Sequence, residues 1–245
     1  RLCAIRGGEI VATYDKHFLP TYGVFDELRL FAPGNSVTVL DVKGRRIGVA
    51  ICEDIWRDGG TVAKLANENL DMLVSINGSP YNAGKMDTRY NLVRKRATEC
   101  GAPMMYLNQV GAQDDLVFDG GTFVVDTDGT LLQRSPMFME DLAYFTLDTD
   151  RDRQEACDVA PRMDPDEEVY TACVLGLKDY MAKNGFTGVC LGLSGGIDSA
   201  LVAAMAADAV GGGNVYGISM PSMYSSQGSK DDAADLAANI GAHYD

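Results

Sequence analysis

The sequence predicts an α/β protein built in two successive parts, the second a doubly wound parallel sheet. Three observations carry this. Short apolar runs of strand length, such as residues 46–51 and 72–76, alternate with stretches of helical periodicity. A charged stretch over residues 148–163 interrupts that alternation. Beyond it, strand, helix, strand and helix follow one another around a glycine-rich turn at Ser194-Gly195-Gly196, the order of a parallel sheet with crossover helices. The expected division is a first domain at residues 1–150, a linker at 151–163 and a second domain at 164–245.

In the first part, residues 9–14 and 37–42 read as strands, and residues 46–51 as a buried strand ending at Cys52. Residues 61–69 fit a helix and 72–76 a buried strand. Residues 86–100 form an amphipathic helix with Met86, Leu92 or Val93, and Ala97 on one face, and Gly101 is placed to end it. Residues 103–107 give the next strand. Residues 121–125 and 131–134 flank Asp126-Thr127-Asp128-Gly129, a hairpin turn signature. Residues 144–147 read as a closing strand.

The second part opens with Asp164-Pro165-Asp166-Glu167. These are an N-cap, a proline at the first helical position and a glutamate placed for a capping box. Val169, Cys173, Leu177, Tyr180 and Met181 make the apolar stripe of that helix, and Asn184-Gly185 ends it. Residues 187–193 read as a strand, 199–210 as a helix, 215–220 as a strand, and Ser229 as the cap of a helix through residue 240. Ligands of such sheets bind at the strand C-termini, where residues 194–199 and 221–228 both fall.

Composition narrows the function. The net charge of −14 argues against a nucleic-acid partner or an anionic membrane. No apolar stretch is long enough to cross a bilayer, and no signal peptide is seen. Six scattered cysteines without a Cys-x-x-Cys pair argue against zinc and against a disulfide framework, and suggest a reducing cytoplasm. With His17 and His243 the only histidines, histidine-based catalysis is a poor fit. The first residue is Arg1, and Asp245 falls inside a continuing pattern, so the chain reads as the middle of a longer protein.

Two motifs carry chemistry. In Ser194-Gly195-Gly196-Ile197-Asp198-Ser199, a glycine turn aims backbone N–H groups and two hydroxyls at one point before a helix, which suits phosphate. No Gly-Lys-Ser/Thr follows, so it is not a Walker A loop. The segment resembles the pyrophosphate loop of ATP pyrophosphatases. The other motif is Cys52, at the sharp end of a buried strand, followed by Glu53-Asp54-Ile55-Trp56. Composition alone makes it a buried cysteine; as a nucleophile it needs a cation or a base to form a thiolate, and Lys16 is the cation at hand.

Tyr14-Asp15-Lys16-His17-Phe18-Leu19-Pro20 together with Val49-Ala50-Ile51-Cys52-Glu53-Asp54 resembles the nitrilase, or carbon–nitrogen hydrolase, superfamily. The resemblance implies a four-layer αββα sandwich, here partial, with Cys52 as nucleophile. Lys16 would stabilise the oxyanion, with Glu27 supporting the lysine. The family's base glutamate would lie upstream of Lys16, and Glu9 is too close to be it. Ser75-Ile76-Asn77-Gly78-Ser79-Pro80-Tyr81 resembles the corresponding segment of glutamine-using members. Ser79, Glu53 and Tyr22 would then hold glutamine.

Residues 217–229, with the glycine loop and residues 169–186, resemble the NAD synthetases. That implies a partial ATP-pyrophosphatase domain in which Ser194, Gly195, Gly196, Ile197, Ser199 and Met220 bind ATP. Asp198 would ligate Mg²⁺ on the phosphates; otherwise it balances a helix dipole. Taken whole, the chain resembles the glutamine-dependent NAD⁺ synthetase family, a ligase whose glutaminase releases ammonia to a site that amidates deamido-NAD⁺ with ATP. The small-molecule partners implied are glutamine, deamido-NAD⁺ and ATP·Mg²⁺, in a cytoplasmic homo-oligomer. The alternatives are a catalytically incomplete fragment that only binds nucleotide, another ATP-pyrophosphatase amidotransferase making GMP or asparagine, and a plain amidase, which leaves residues 194–199 unexplained.

Overall fold

The computed structural model describes residues 1–148 and 154–245. The chain divides into two compact units, one of Arg1–Val110 and Phe118–Arg162, the other of Gly111–Val117 and Met163–Asp245.

In the first unit, β1 (Leu2–Arg6) and β2 (Glu9–Tyr14) make an antiparallel hairpin, followed by a one-turn helix α1 (Glu27–Leu30). Then come β3 (Thr38–Val42), β4 (Arg45–Ile51), α2 (Thr61–Leu65), β5 (Met72–Asn77), α3 (Lys85–Cys100) and β6 (Met104–Asn108). A second hairpin, β7 (Val110–Gln113) with β8 (Leu116–Asp119), whose residues Gly111–Val117 are counted with the second unit, precedes a third, β9 (Phe123–Val125) with β10 (Leu131–Arg134). Strands order as β10-β9-β6-β5-β4-β3 in a six-stranded sheet whose three central strands, β4, β5 and β6, run parallel.

Register fixes where chemistry can occur. Ile51 pairs with Ile76, Ile76 with Leu107, and Asn77 with Asn108. The C-terminal ends of the central strands are therefore level, and the chain leaves them side by side at Cys52, Gly78 and Gln109. One face of the sheet packs Ala50, Leu73, Met104, Tyr106 and Phe123 against Ile55, Val62, Leu65, Val93 and Ala97 from the helical layer. Tyr106 and Phe123 stack at 5.2 Å between ring centres, a geometry that adds to their area burial. On the other face Met72, Val124 and Leu132 are buried under Phe145 and Leu147.

In the second unit, α4 (Pro165–Asn184) leads into β11 (Val189–Gly192), α5 (Ile197–Val210), β12 (Val215–Ile218), α6 (Gln227–Ile240) and β13 (His243–Tyr244). The three strands are parallel and lie in sequential order. Right-handed crossovers then place α5 and α6 on the same face, where Leu191 and Leu193 meet Ala203, Ala233 and Ala237. A reversal of winding does not occur among these strands. On the uncovered face Tyr216 stacks on His243 at 4.6 Å.

Several local expectations need correction. Residues 144–147 form no strand; Phe145 and Leu147 pack against the apolar face, and the Tyr144 carbonyl accepts from Gln133 Nε2. Asp164 caps α4 by accepting from the N–H of Asp166, and no capping box with Glu167 is formed. The expected stripe of α4 is half wrong: Met181 is buried, together with Ala172, but Val169, Cys173 and Tyr180 are exposed. Ser226, not Ser229, caps α6, accepting from the N–H of Ser229. The helix at residue 61 tightens into a 3₁₀ turn at Ala66–Glu68 and ends at Asn69 with φ +49°. Strands β1, β7, β8 and β13 and helix α1 were not foreseen; each is a short element fixed by pairing or packing rather than by pattern. The charged segment lies partly outside the described residues. Within it, the Cys157 and Ala160 N–H groups donate to the Leu132 and Arg134 carbonyls, so this stretch runs beside β10.

Candidate functional site

Cys52 opens a 3₁₀ turn directly after β4, with φ +43°. A side chain in this left-handed region is strained, and such strain persists only where neighbouring contacts hold it. Asp54 supplies those contacts. Fully buried, its carboxylate accepts from the Ile51 N–H at 3.1 Å, the His17 N–H at 2.9 Å, the Phe18 N–H at 3.0 Å and the Tyr14 hydroxyl at 2.6 Å. One carboxylate therefore ties the segment just after Lys16 to the turn that presents Cys52. Burial and this hydrogen bond push the Tyr14 hydroxyl far above its ordinary value, so it stays a donor.

Lys16 lies with its ammonium between the two oxygens of Glu27, at 2.8 and 2.7 Å, and its side chain is only 11% exposed. Both residues open onto a cleft of about 630 Å³ shared with Asp15, Leu19 and Phe31; Cys52 is not on its wall. Burial is the largest influence on the Cys52 thiol and raises it above the usual cysteine value; Lys16 draws it back only in part. Acting as a nucleophile, Cys52 would need a base in addition to the cation named from the sequence.

Glu53 is buried and both its oxygens are engaged, one by the Tyr22 hydroxyl at 2.6 Å and one by Arg57 Nε at 3.0 Å. Burial and that bond push the Tyr22 hydroxyl up to about 12. Ser79 is buried too. Arg89 Nη2 donates to its carbonyl at 2.8 Å and to its hydroxyl at 3.2 Å. Fully buried Arg89 pairs with Asp119 at 2.5 Å, and Asn108 bridges Asp119 and the Ser79 backbone. A pair this deep is strongly destabilising to break from one side only, so it fixes the Ser79-Pro80 turn beside the Cys52 turn. Lys85 donates to the Pro80 carbonyl at 3.0 Å, and its half-burial, with Arg89 nearby, lowers its pKa.

Asp54, Arg57, Lys85, Arg89, Asn108 and Asp119 escaped the sequence reading. Only Arg89 left a usable signal: it falls at helical spacing on the face of Met86, Val93 and Ala97, where a charged residue needs a buried partner.

The second unit carries its own constellation. Gly195 has φ +77°, and a β-carbon there would lie 2.1 Å from the Ser229 carbonyl oxygen, so the loop lies hard against the first turn of α6. The hydroxyls of Ser194 and Ser199 meet at 3.1 Å, and the Ser199 hydroxyl donates to the Gly196 carbonyl at 2.9 Å. Ile197 is exposed at the head of α5, and the Asp198 carboxylate has no hydrogen bond or ion pair among the described residues. A cleft of about 200 Å³ lies between the end of β11 and α6, lined by Gly192, Ser194, Met220, Ser229 and Lys230 among others. It is smaller than the roughly 300–1,000 Å³ of a whole-ligand pocket.

No group of three or more histidine, cysteine or acidic side chains among the described residues could hold a metal alone. No helix among them is long and apolar enough to cross a membrane. All six cysteines are free thiols.

Comparison with known proteins finds matches for both parts of the chain. The carbon-nitrogen hydrolase family profile matches residues 1–154 and that of NAD synthase residues 169–245. Over 240 residues, 98% of the chain, it is 42% identical to a glutamine-dependent NAD(+) synthetase of Acinetobacter baylyi, and over 244 residues 46% identical to one of Rhodobacter capsulatus. In each case the chain spans 44% of the relative's length. The structure of the glutamine-dependent NAD+ synthetase from Acinetobacter baumannii, in complex with ADP, superposes with a TM-score of 0.93 at 40% identity over 99% of this chain and 46% of that one. The chain therefore belongs to the carbon–nitrogen hydrolase family, and its residues 169–245 are similar to NAD synthase.

Proposed function

We propose that this chain is the catalytic middle of a glutamine-dependent NAD⁺ synthetase, with glutaminase and synthetase residues at the two constellations described. The observation that carries the reading is their presence in one polypeptide: a plain amidase has no use for residues 194–199, and a plain ATP pyrophosphatase has none for Cys52.

In the first site, the Cys52 sulfur attacks the side-chain amide carbon of glutamine. A thioester forms, ammonia leaves, and water then cleaves the thioester to glutamate. The Lys16 ammonium, held by Glu27, faces the oxyanion with the N–H of Glu53. The resemblance to carbon–nitrogen hydrolases also calls for a base, in that family a glutamate upstream of the lysine. Tyr22, Glu53 and Ser79 form the glutamine side, and Lys85 joins them as a cation near the Cys52 turn.

In the second site, the nicotinate carboxylate of deamido-NAD⁺ attacks the α-phosphorus of ATP and pyrophosphate leaves. Ammonia then displaces AMP. Ser194, Gly195, Gly196 and Ser199 would cradle the phosphates, with Ile197 and Met220 beside the nucleotide. Mg²⁺ would supply charge neutralisation on the phosphates. The unengaged Asp198 fits an ion held by one carboxylate, phosphate oxygens and water, since Mg²⁺ seldom needs an all-protein cage. The functional domains are residues 1–150 and 164–245. Free thiols support a reducing cytoplasm, and a homo-oligomer without nucleic-acid or membrane partners completes the reading.

The test is NAD⁺ formation from deamido-NAD⁺, ATP and Mg²⁺ by the whole protein, given either glutamine or ammonium. Activity with ammonium alone in Cys52→Ala, and with both sources in wild type, upholds it. No NAD⁺ from either source in wild type overturns the synthetase assignment.

A further inference from the structure

The cleft at the glycine loop contains a charged group that the reaction scheme above leaves unused. Lys230 lines it together with Ser194 and Ser229, and is the only charged residue in that lining. It is half-buried and has no ion pair or hydrogen bond among the described residues. The neighbouring Asp231 is engaged elsewhere, accepting from Gln227 Nε2 at 2.8 Å.

Its position is electrostatically awkward. Lys230 stands in the first turn of α6, where exposed N–H groups already make the helix end positive and a cation is disfavoured. A residue that breaks a local rule without local compensation marks a functional position. The glycine loop contributes the second half of the argument. Because a β-carbon on Gly195 would strike the Ser229 carbonyl, the loop and the turn bearing Lys230 are in contact. An unpaired ammonium thus stands next to a loop shaped for anions, in a protein of net charge −14, where little else attracts one.

We propose that Lys230 binds a phosphate group of the nucleotide held at residues 194–199, and so supplies the site's protein-borne positive charge. The inference rests on the ATP reading of that loop. A lysine acts here as a mobile point charge, so its effect should follow the number of phosphates and not the adenine or ribose.

Calorimetric titration of the whole protein with adenosine, AMP, ADP and ATP tests this, in wild type, Lys230→Gln and Lys230→Arg. Lys230→Gln should weaken ATP binding by about tenfold, the loss expected of one charge-assisted hydrogen bond. It should leave adenosine unchanged and raise KM for ATP in ammonium-driven synthesis with little change in kcat. Lys230→Arg should recover most of the affinity. Equal weakening of adenosine and ATP, or no weakening of either, overturns the assignment of Lys230 while the ATP site stands. A wild-type protein that binds none of the four overturns the ATP reading itself, and the lysine's role with it.

Discussion

The Cys52 turn and the Ser194–Ser199 loop solve similar geometric problems with different residues. Both follow a parallel strand, both lead into a helical turn, and both require a left-handed backbone, at Cys52 with φ +43° and at Gly195 with φ +77°. At Gly195 the proposed binding group is the backbone itself, and glycine removes the strain and lets α6 approach closely. At Cys52 the proposed reagent is a side chain, so glycine could not serve and the surroundings must hold the strain. They do so with buried polar groups: Asp54 under the turn, and Arg89 with Asp119 beside it. The difference teaches that a strained side chain, such as the proposed nucleophile Cys52, demands a rigid, over-determined setting, whereas a glycine loop proposed as an anion cradle can stay open and polar.

Several outcomes would break or sharpen this contrast, and the largest is expected at the nucleophile. Cys52→Ala in the whole protein should reduce glutamine-driven NAD⁺ formation about 10³-fold or more and spare ammonium-driven formation. Retained glutamine use would remove Cys52 from the chemistry. Next comes Gly195→Ala, whose β-carbon collides with the Ser229 carbonyl. It should abolish nucleotide binding, and with it synthesis from either nitrogen source, while glutamine hydrolysis persists. ATP binding measured directly would decide.

Asp54→Asn replaces an acceptor of four hydrogen bonds by a group with one acceptor oxygen and two donors. It should destabilise the first unit by about 2 kcal/mol or more and lower glutaminase kcat with little effect on KM. Denaturant melts paired with kinetics would test it, and an unchanged kcat would refute the link between Asp54 and the Cys52 turn. Strain gives a smaller signal. Cys52→Gly should be more stable than Cys52→Ala by about 1 kcal/mol, because only alanine retains the left-handed penalty. Equal melting temperatures would deny the strain.

The smallest effect is on pH. Burial raises the Cys52 thiol above its unfolded value, so the neutral form contributes stability below the ordinary cysteine range, and that contribution is lost as pH rises through the folded value. Alkylation of Cys52 in this chain should therefore be slower at pH 8 than for a free cysteine, and Lys16→Met should slow it further. A faster reaction in Lys16→Met would show that the lysine does not draw the thiol down.

The contrast also separates what was legible in the sequence. Apolar periodicity placed β4, β5, β6, α3 and α5 within about two residues, because long patterned segments carry their own signal. Turn chemistry revealed the hairpin at Asp126–Gly129, whose Gly129 N–H donates to the Asp126 carbonyl at 2.9 Å. Lys16 and Glu27 were named from motif resemblance, and the structure joins them in an ion pair. Short elements such as β13 were not legible, since two residues hold no period.

By itself the sequence determined the order of the long strands and helices, the two motif-bearing turns and the residue types at their tips, because these depend on local pattern and backbone preference. Only the tertiary structure decided which groups support those tips. Asp54 reaches Tyr14 across 40 positions, and Arg89 reaches Asp119 across 30. Lys230 reaches the glycine loop only because α6 folds back against Gly195. Pairings of that span follow from register and helix packing, which bring distant polar groups out of water together and oblige them to satisfy one another.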